Sequence, residues 1–257
     1  LSTKERMRRK LAFNNSYNLY KVKSAHSGET IISQYPPSSP FKIYEQLVWY
    51  GDSWDPSLYG LAANAQESFF NQFKKLQLAV PRPNLCVDQT NVDSPYVNGS
   101  TSLKNCYLVF DSMGLENCSY CIMGMASREC VDCFTVFHNE QSYDCFESEH
   151  LYQCRSVEYS KNCLNSTLLY DCRNCERCFG CVNLRNKRYC FFNEQLTKEQ
   201  YEEKLASLNL GNREIFQKLR AEFESLKNKA IHKENHNEQS VNSSGDYLKH
   251  CKNCLDS

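Results

Sequence analysis

The sequence predicts a mainly β protein: a short parallel β-solenoid with a ladder of cysteines inside, flanked by an irregular N-terminal segment and capping helices. Three observations carry this. First, 13 of the 16 cysteines fall in one register of three: Cys106, Cys118, Cys121, Cys130, Cys133, Cys145, Cys154, Cys163, Cys172, Cys175, Cys178, Cys181 and Cys190. Given the first, chance would place the other twelve there about two times in a million. Second, the rest of that register is mostly small or apolar, as at Val109, Ser112, Leu115, Gly124, Val136, Ser148, Val157 and Leu169; Asn139 and Lys187 break it. Third, Asn or Asp precedes many of the inward cysteines (Asn105, Asn117, Asp144, Asn162, Asp171, Asn174), and these residues suit tight corners. A spacing of three drifts around a 3.6-residue helix and misses the alternation of an ordinary strand. Stacked coils with an inward face satisfy it; coils of about 18–27 residues are the usual size. Polyproline-type segments, with three residues per turn, are the other fold with this period.

Residues 1–82 read as an irregular, aromatic-rich segment with a basic start, containing a helix over 61–79. Phe69, Phe73, Leu76 and Val80 recur on one helical face there, and Pro81 stops it. Residues 83–193 form the solenoid. Within it the cysteines are twelve apart at Cys106, Cys118 and Cys130, then nine apart from Cys145 to Cys190, which reads as a coil that shortens. Residues 194–227 hold two helices expected to cap the open end of the solenoid. Thr197 and Gln200 spell a capping box for the first, and Ile215, Leu219, Phe223 and Leu226 give the second an apolar face. Residues 228–246 are polar and read as a flexible linker. From 247 to 257 the triplet pattern resumes at Leu248, Cys251 and Cys254, as the start of a truncated second repeat module.

Acidic and basic residues balance at 30 each, so no global field draws nucleic acid or an anionic membrane. No apolar run is long enough to cross a bilayer. Free cysteine is a small hydrophobe that suits a narrow interior, which favours reduced, stacked thiols and the cytoplasm; disulfides and metal are the alternatives. Cys172, Cys175, Cys178 and Cys181 make three successive CxxC steps, the pattern of thiolates around an iron–sulfur cluster or zinc. Val182 follows where a ferredoxin run has Pro, and the register continues through Leu169 and Leu184, so the run reads first as structural. No reactive CxxC stands beside a helix start, and the six histidines form no catalytic spacing. Asp144, Glu147, Glu149 and Glu158 are scattered candidates for a β-helix groove enzyme. Arg6, Arg8, Arg9 and Lys10 could touch nucleic acid, although the stretch Cys106–Cys190 carries eight basic against eleven acidic residues.

Three blocks resemble a family of uncharacterised cysteine-rich repeat proteins of ultra-small, reduced-genome bacteria: "RRKLAF"; "WYGDSWDPSLYG" with "FFNQF" and "VPR"; and "FGCVNLRNKRYCFFN" with "TKEQYEEKL". The resemblance implies architecture and no activity. It also implies a small zinc site ahead of the repeats, built from two CxxC pairs. Here Ser24, Ser27, Glu45 and Val48 occupy those four positions. Serine and valine do not replace thiolates, and His26 with Glu45 does not complete a four-ligand shell, so no zinc is expected. Tyr35, Phe41, Tyr44, Trp49 and Trp54 must then hold the segment by packing against the rod or the helix.

The sequence therefore points to a non-enzymatic scaffold, without cofactor, that binds a protein partner or a second copy of itself. Tyr107, Tyr120, Phe134, Phe146, Tyr152, Tyr159, Tyr170 and Phe179 are the outward aromatics expected to form the binding face. A thiol-rich metal or redox protein is the alternative.

Overall fold

Every triplet of the repeat region has the same backbone plan in the computed structural model, which describes residues 17–255. The first residue is extended and pairs in parallel with the residue twelve positions on, as Tyr107 does with Ser119 and Ser119 with Val131. The second is left-handed: every third residue from Asp93 to Phe192 has a positive φ. The third points into the core, with Lys187 the exposed exception. Four triplets complete one coil, so the rod has four walls, each one triplet wide. Tyr107, Ser119, Val131, Tyr143, Arg155, Thr167, Phe179 and Phe191 form one vertical column of it.

From Val92 to the end of the rod the coil is twelve residues long, shorter than the predicted 18–27. A wall needs only one bridging residue, one left-handed corner and one inward residue. The coil does not shorten where the cysteines become nine apart. A step of nine passes three walls instead of four, so the cysteine column winds backwards around the rod by one wall per coil.

Regular strands develop in the second half, as β5 (Phe134–Phe137), β6 (Phe146–Glu149), β7 (Arg155–Glu158), β8 (Thr167–Tyr170) and β9 (Phe179–Val182), all parallel. The sheet ends where β10 (Cys190–Phe191) turns back into β11 (Glu194–Gln195). Gln195 closes this end, donating to Arg188 O at 2.7 Å and accepting from Cys190 Sγ at 3.5 Å.

Ahead of the rod, β1 (Tyr20–Lys23) and β2 (Thr30–Ser33) form an antiparallel hairpin, and β3 (Ile43–Tyr44) pairs with β4 (Arg82–Pro83). A short helix α1 (Gln46–Trp49) follows β3. The helix predicted over 61–79 begins later, as α2 (Phe69–Ala79), because Ser68 caps it. Gln72 also donates to Asn64 O and Glu67 O, which holds the preceding residues in a turn. The aromatics pack mainly on each other: Trp54 lies 5.6 Å from Tyr44 and 5.8 Å from Tyr59, and Trp49 Nε1 donates to Pro81 O at 2.9 Å.

Beyond the rod, α3 (Lys198–Ala206) has the expected capping box and α4 (Arg213–Lys227) starts at Asn212. α4 lies along a wall instead of across the open end. Its Phe216 and Phe223 pack with Tyr201 onto Leu168, Phe179, Val182 and Phe191. Arg220 meets Asp144 at 3.2 Å, Lys227 meets Glu158 at 3.0 Å, and Arg155 stacks on Phe216 at 3.7 Å. The reason is visible in the columns: this wall carries large apolar side chains that need a cover.

Residues 228–246 are not a free linker. Glu238 and Val241 already pair in parallel with Lys249 and Lys252, and Gln239 and Asn242 take the left-handed corner conformation. Parallel pairing thus begins inside the polar stretch, and ion pairs from Glu238 to Lys161 and Arg173 seat it on the rod.

Candidate functional site

The cysteine ladder is a hydrogen-bonding device. In each triplet the first N–H donates to a carbonyl eleven residues on (Tyr107 N to Cys118 O, 3.0 Å), and the second to one thirteen back (Tyr120 N to Tyr107 O, 2.9 Å). The third N–H points into the core. Where the inward residue one coil earlier carries a suitably placed oxygen or sulfur, that side chain accepts it: Cys118 Sγ for Cys130 N at 3.4 Å, Ser112 Oγ for Gly124 N at 3.0 Å, Ser160 Oγ for Cys172 N at 3.0 Å. That same group donates its own proton to a carbonyl two residues earlier, as Cys118 does to Glu116 O and Ser112 to Phe110 O. Cysteine and serine are small side chains that both accept and donate close to the backbone. Asn139, which breaks the register on paper, does the same work: its Oδ1 accepts from Leu151 N at 2.9 Å. Lys187, the other break, is exposed near the end of the rod.

Successive triplets occupy successive walls, so Cys172, Cys175, Cys178 and Cys181 enter the core from four directions and are fully buried. Cys163, Cys172 and Cys178 adjoin Cys175, and their thiols hold its value below the usual thiol range. Among the described residues no group of three or more His, Cys, Asp and Glu side chains is arranged to hold a metal ion, and all 16 cysteines are free thiols. Each sulfur of the run donates to the carbonyl two residues before it, as Cys172 does to Tyr170 O at 3.5 Å. Burial pushes the Cys154 thiol up to about 11 and raises Cys190 as well. Those two thiols are therefore poor nucleophiles at neutral pH, whereas neighbouring thiols shift Cys175 and Cys181 down.

The hairpin loop brings together three of the four positions where the family resemblance implies thiolates. Ser24 Oγ accepts from His26 N at 3.0 Å and Ser27 N at 3.2 Å, and donates to Glu45 at 2.7 Å; Ser27 Oγ donates to the other Glu45 oxygen. The donor set is two hydroxyls and one carboxylate already consumed by each other, which does not fit a tetrahedral zinc shell.

The outward aromatics do not form one face. Phe179 is buried under α4, Phe134 packs with Tyr17, Phe110 and Ile122, and Tyr170 lies against His232. Tyr96 and Tyr107 are exposed and Tyr120 is half-buried beside them, the three forming a row of edge-to-face contacts. Asp144 and Glu158 tie down α4 and do not converge on a substrate groove. Arg6, Arg8, Arg9 and Lys10 lie outside the described residues. No described helix is long and apolar enough to cross a membrane.

The largest exposed apolar side chains lie elsewhere, in the N-terminal segment. Leu47, Tyr50, Leu58, Leu61, Phe69, Phe70 and Phe73 are exposed, Leu58 and Phe70 by about four-fifths (81% and 79%). α2 buries none of its residues, although Phe69 and Phe73 stack on one side of it at 5.7 Å. Sequence reading takes such a face for core packing, because periodicity reports amphipathicity and not what covers the apolar side. No protein-family model matches the chain, and no curated protein matches it. What fold and sequence define together is a cysteine-rich β-solenoid domain.

Proposed function

We propose that the protein is a non-enzymatic scaffold of a reducing, cytoplasmic compartment, a member of the uncharacterised cysteine-rich family it resembles, and that it binds a protein partner through its N-terminal segment. The observation that carries this reading is the uncovered apolar side of α2. Scattered exposed apolar residues are ordinary, but a helix with no buried residue and three exposed phenylalanines needs a second surface. α2 carries Lys74 and Lys75 and no acidic residue, so the fitting partner is apolar at its centre and acidic at its rim. The rod contributes rigidity and fixed spacing.

The test is a Phe69→Ser, Phe70→Ser, Phe73→Ser variant. Because these side chains are uncovered, the melting temperature should change by no more than about 2 °C. A partner identified with the wild type and then purified should bind it directly and lose at least about tenfold in affinity for the variant. Sedimentation of the wild type alone reveals whether that partner is a second copy. A variant that unfolds, or a purified partner indifferent to all three changes, sinks the reading.

A further inference from the structure

A cavity of about 600 Å³ lies between the rod and the C-terminal module. That is the size of a small-molecule site. Its floor is a single wall column in which Phe137, Glu149, Lys161, Arg173 and Arg185 stand one coil apart. Backbone pairing spaces successive members by about 4.8 Å, so three cations are stacked directly over one another. Like charges in such register repel and need anions between them.

Three carboxylates answer most of this charge. Glu238 lies 2.7 Å from Lys161 and 3.2 Å from Arg173. Asp171 lies 2.7 Å from Arg185 and 2.6 Å from Lys233. Glu149 takes Lys161 at 2.7 Å but reaches Lys249 only at 3.8 Å. A fourth, Glu147, lines the cavity with its carboxyl pushed up by burial. Five cations, Lys161, Arg173, Arg185, Lys233 and Lys249, line the cavity against three carboxylates, Glu147, Glu149 and Glu238, with Asp171 on Lys233 and Asp246 on His236 beside it. Lys249 is the least committed of them, with 56% of its side chain exposed. The remaining wall is aromatic: Tyr159, His236 and Tyr247 stack in succession at 4.9 and 4.7 Å.

We propose that this cavity binds a small, flat organic anion, with its ring against Phe137 and the aromatic stack and its acid group on Lys249. A loosely held cation beside aromatic faces recognises both halves of such a molecule, and neither half alone satisfies the site.

Phenyl phosphate is a suitable probe, with phenol and inorganic phosphate as its separated halves, each titrated into the full chain and followed by amide chemical shifts. Phenyl phosphate should saturate with a Kd of about 1 mM or tighter. Each half should bind at least about tenfold more weakly. Lys249→Met keeps the apolar stem and removes the charge; it should weaken phenyl phosphate by about fivefold or more and leave phenol unchanged. Its melting temperature should match the wild type, because the ion pair with Glu149 that it loses is long at 3.8 Å. Should that variant fail to fold, Phe137→Leu supplies the second test, through loss of the ring's contribution. Absence of saturable shifts around the cavity, inorganic phosphate binding as tightly as phenyl phosphate, or an affinity indifferent to the substituted residue each overturns the proposal.

Discussion

One inward hydroxyl shows what the ladder positions demand. Ser127 Oγ accepts from Asn139 N at 3.1 Å and donates to Met125 O at 3.0 Å. Ser127→Ala leaves the buried Asn139 N–H without an acceptor, which costs about 1–3 kcal/mol. Ser127→Cys keeps an acceptor in place and should cost less than half of that, even though it adds volume. Denaturant midpoints of the two variants measure the difference. Equal losses for alanine and cysteine would mean that the side chain only fills space. The corner residues make a second demand. Non-glycine residues pay about 1–2 kcal/mol for the left-handed conformation, and a β-branched residue is the worst placed. Thr135 sits there with φ 50. Thr135→Asn should therefore stabilise the protein by about 1 kcal/mol, read as a rise in melting temperature. Gly180 is the opposite case: at φ 66, an added Cβ would also lie 2.9 Å from the Phe192 ring.

Among the elements, the N-terminal hairpin depends most on a single carboxylate. Burial pushes the Glu45 carboxyl up, but the hydroxyls of Ser27 and Ser24 outweigh this and hold it below the usual range. A carboxylate with a depressed value stabilises the fold above its unfolded pKa of about 4.3, and that share is lost as the pH falls through the lower folded value. Amide exchange over residues 24–29 should therefore quicken below about pH 4 relative to the rod. Glu45→Gln should exchange faster at neutral pH and lose the pH dependence; an unchanged profile removes the cluster from any structural role. This element also marks how far the sequence could be read. Ser24, Ser27 and Glu45 could be placed as a set by resemblance, but their mutual hydrogen bonds could not, because hydroxyl-to-carboxylate geometry leaves no period in a sequence. The triplet register of the cysteines was legible because it repeats. The coil length was not, since nine-residue and twelve-residue steps keep the same register and only the backbone ladder separates them. The open side of α2 escaped for a similar reason: Phe69 and Phe73 spell amphipathicity whether or not anything covers them.

At the scale of the whole molecule, a coil cannot stand alone. Each one holds four left-handed corners, and wherever serine or asparagine stands in the ladder the third N–H of a triplet finds its acceptor in the coil beneath. The favourable terms therefore arise between coils, and stability builds by nearest-neighbour stacking, as in other solenoids. Buried thiols report on that stacking directly. Cys86 is exposed and Cys251 and Cys254 are half-buried, whereas the 13 ladder thiols are closed from solvent. An aromatic disulfide reagent should modify three thiols promptly under native conditions and the remainder only as coils open. Because α4 and the β10–β11 turn cover the late coils, modification should begin at the early ones, with Cys106 and Cys118 ahead of Cys172 and Cys181. Mass mapping after partial labelling orders them. Prompt labelling of the whole ladder would mean that the sulfur atoms are not shut inside the coils, and simultaneous labelling would mean that the rod opens as one unit.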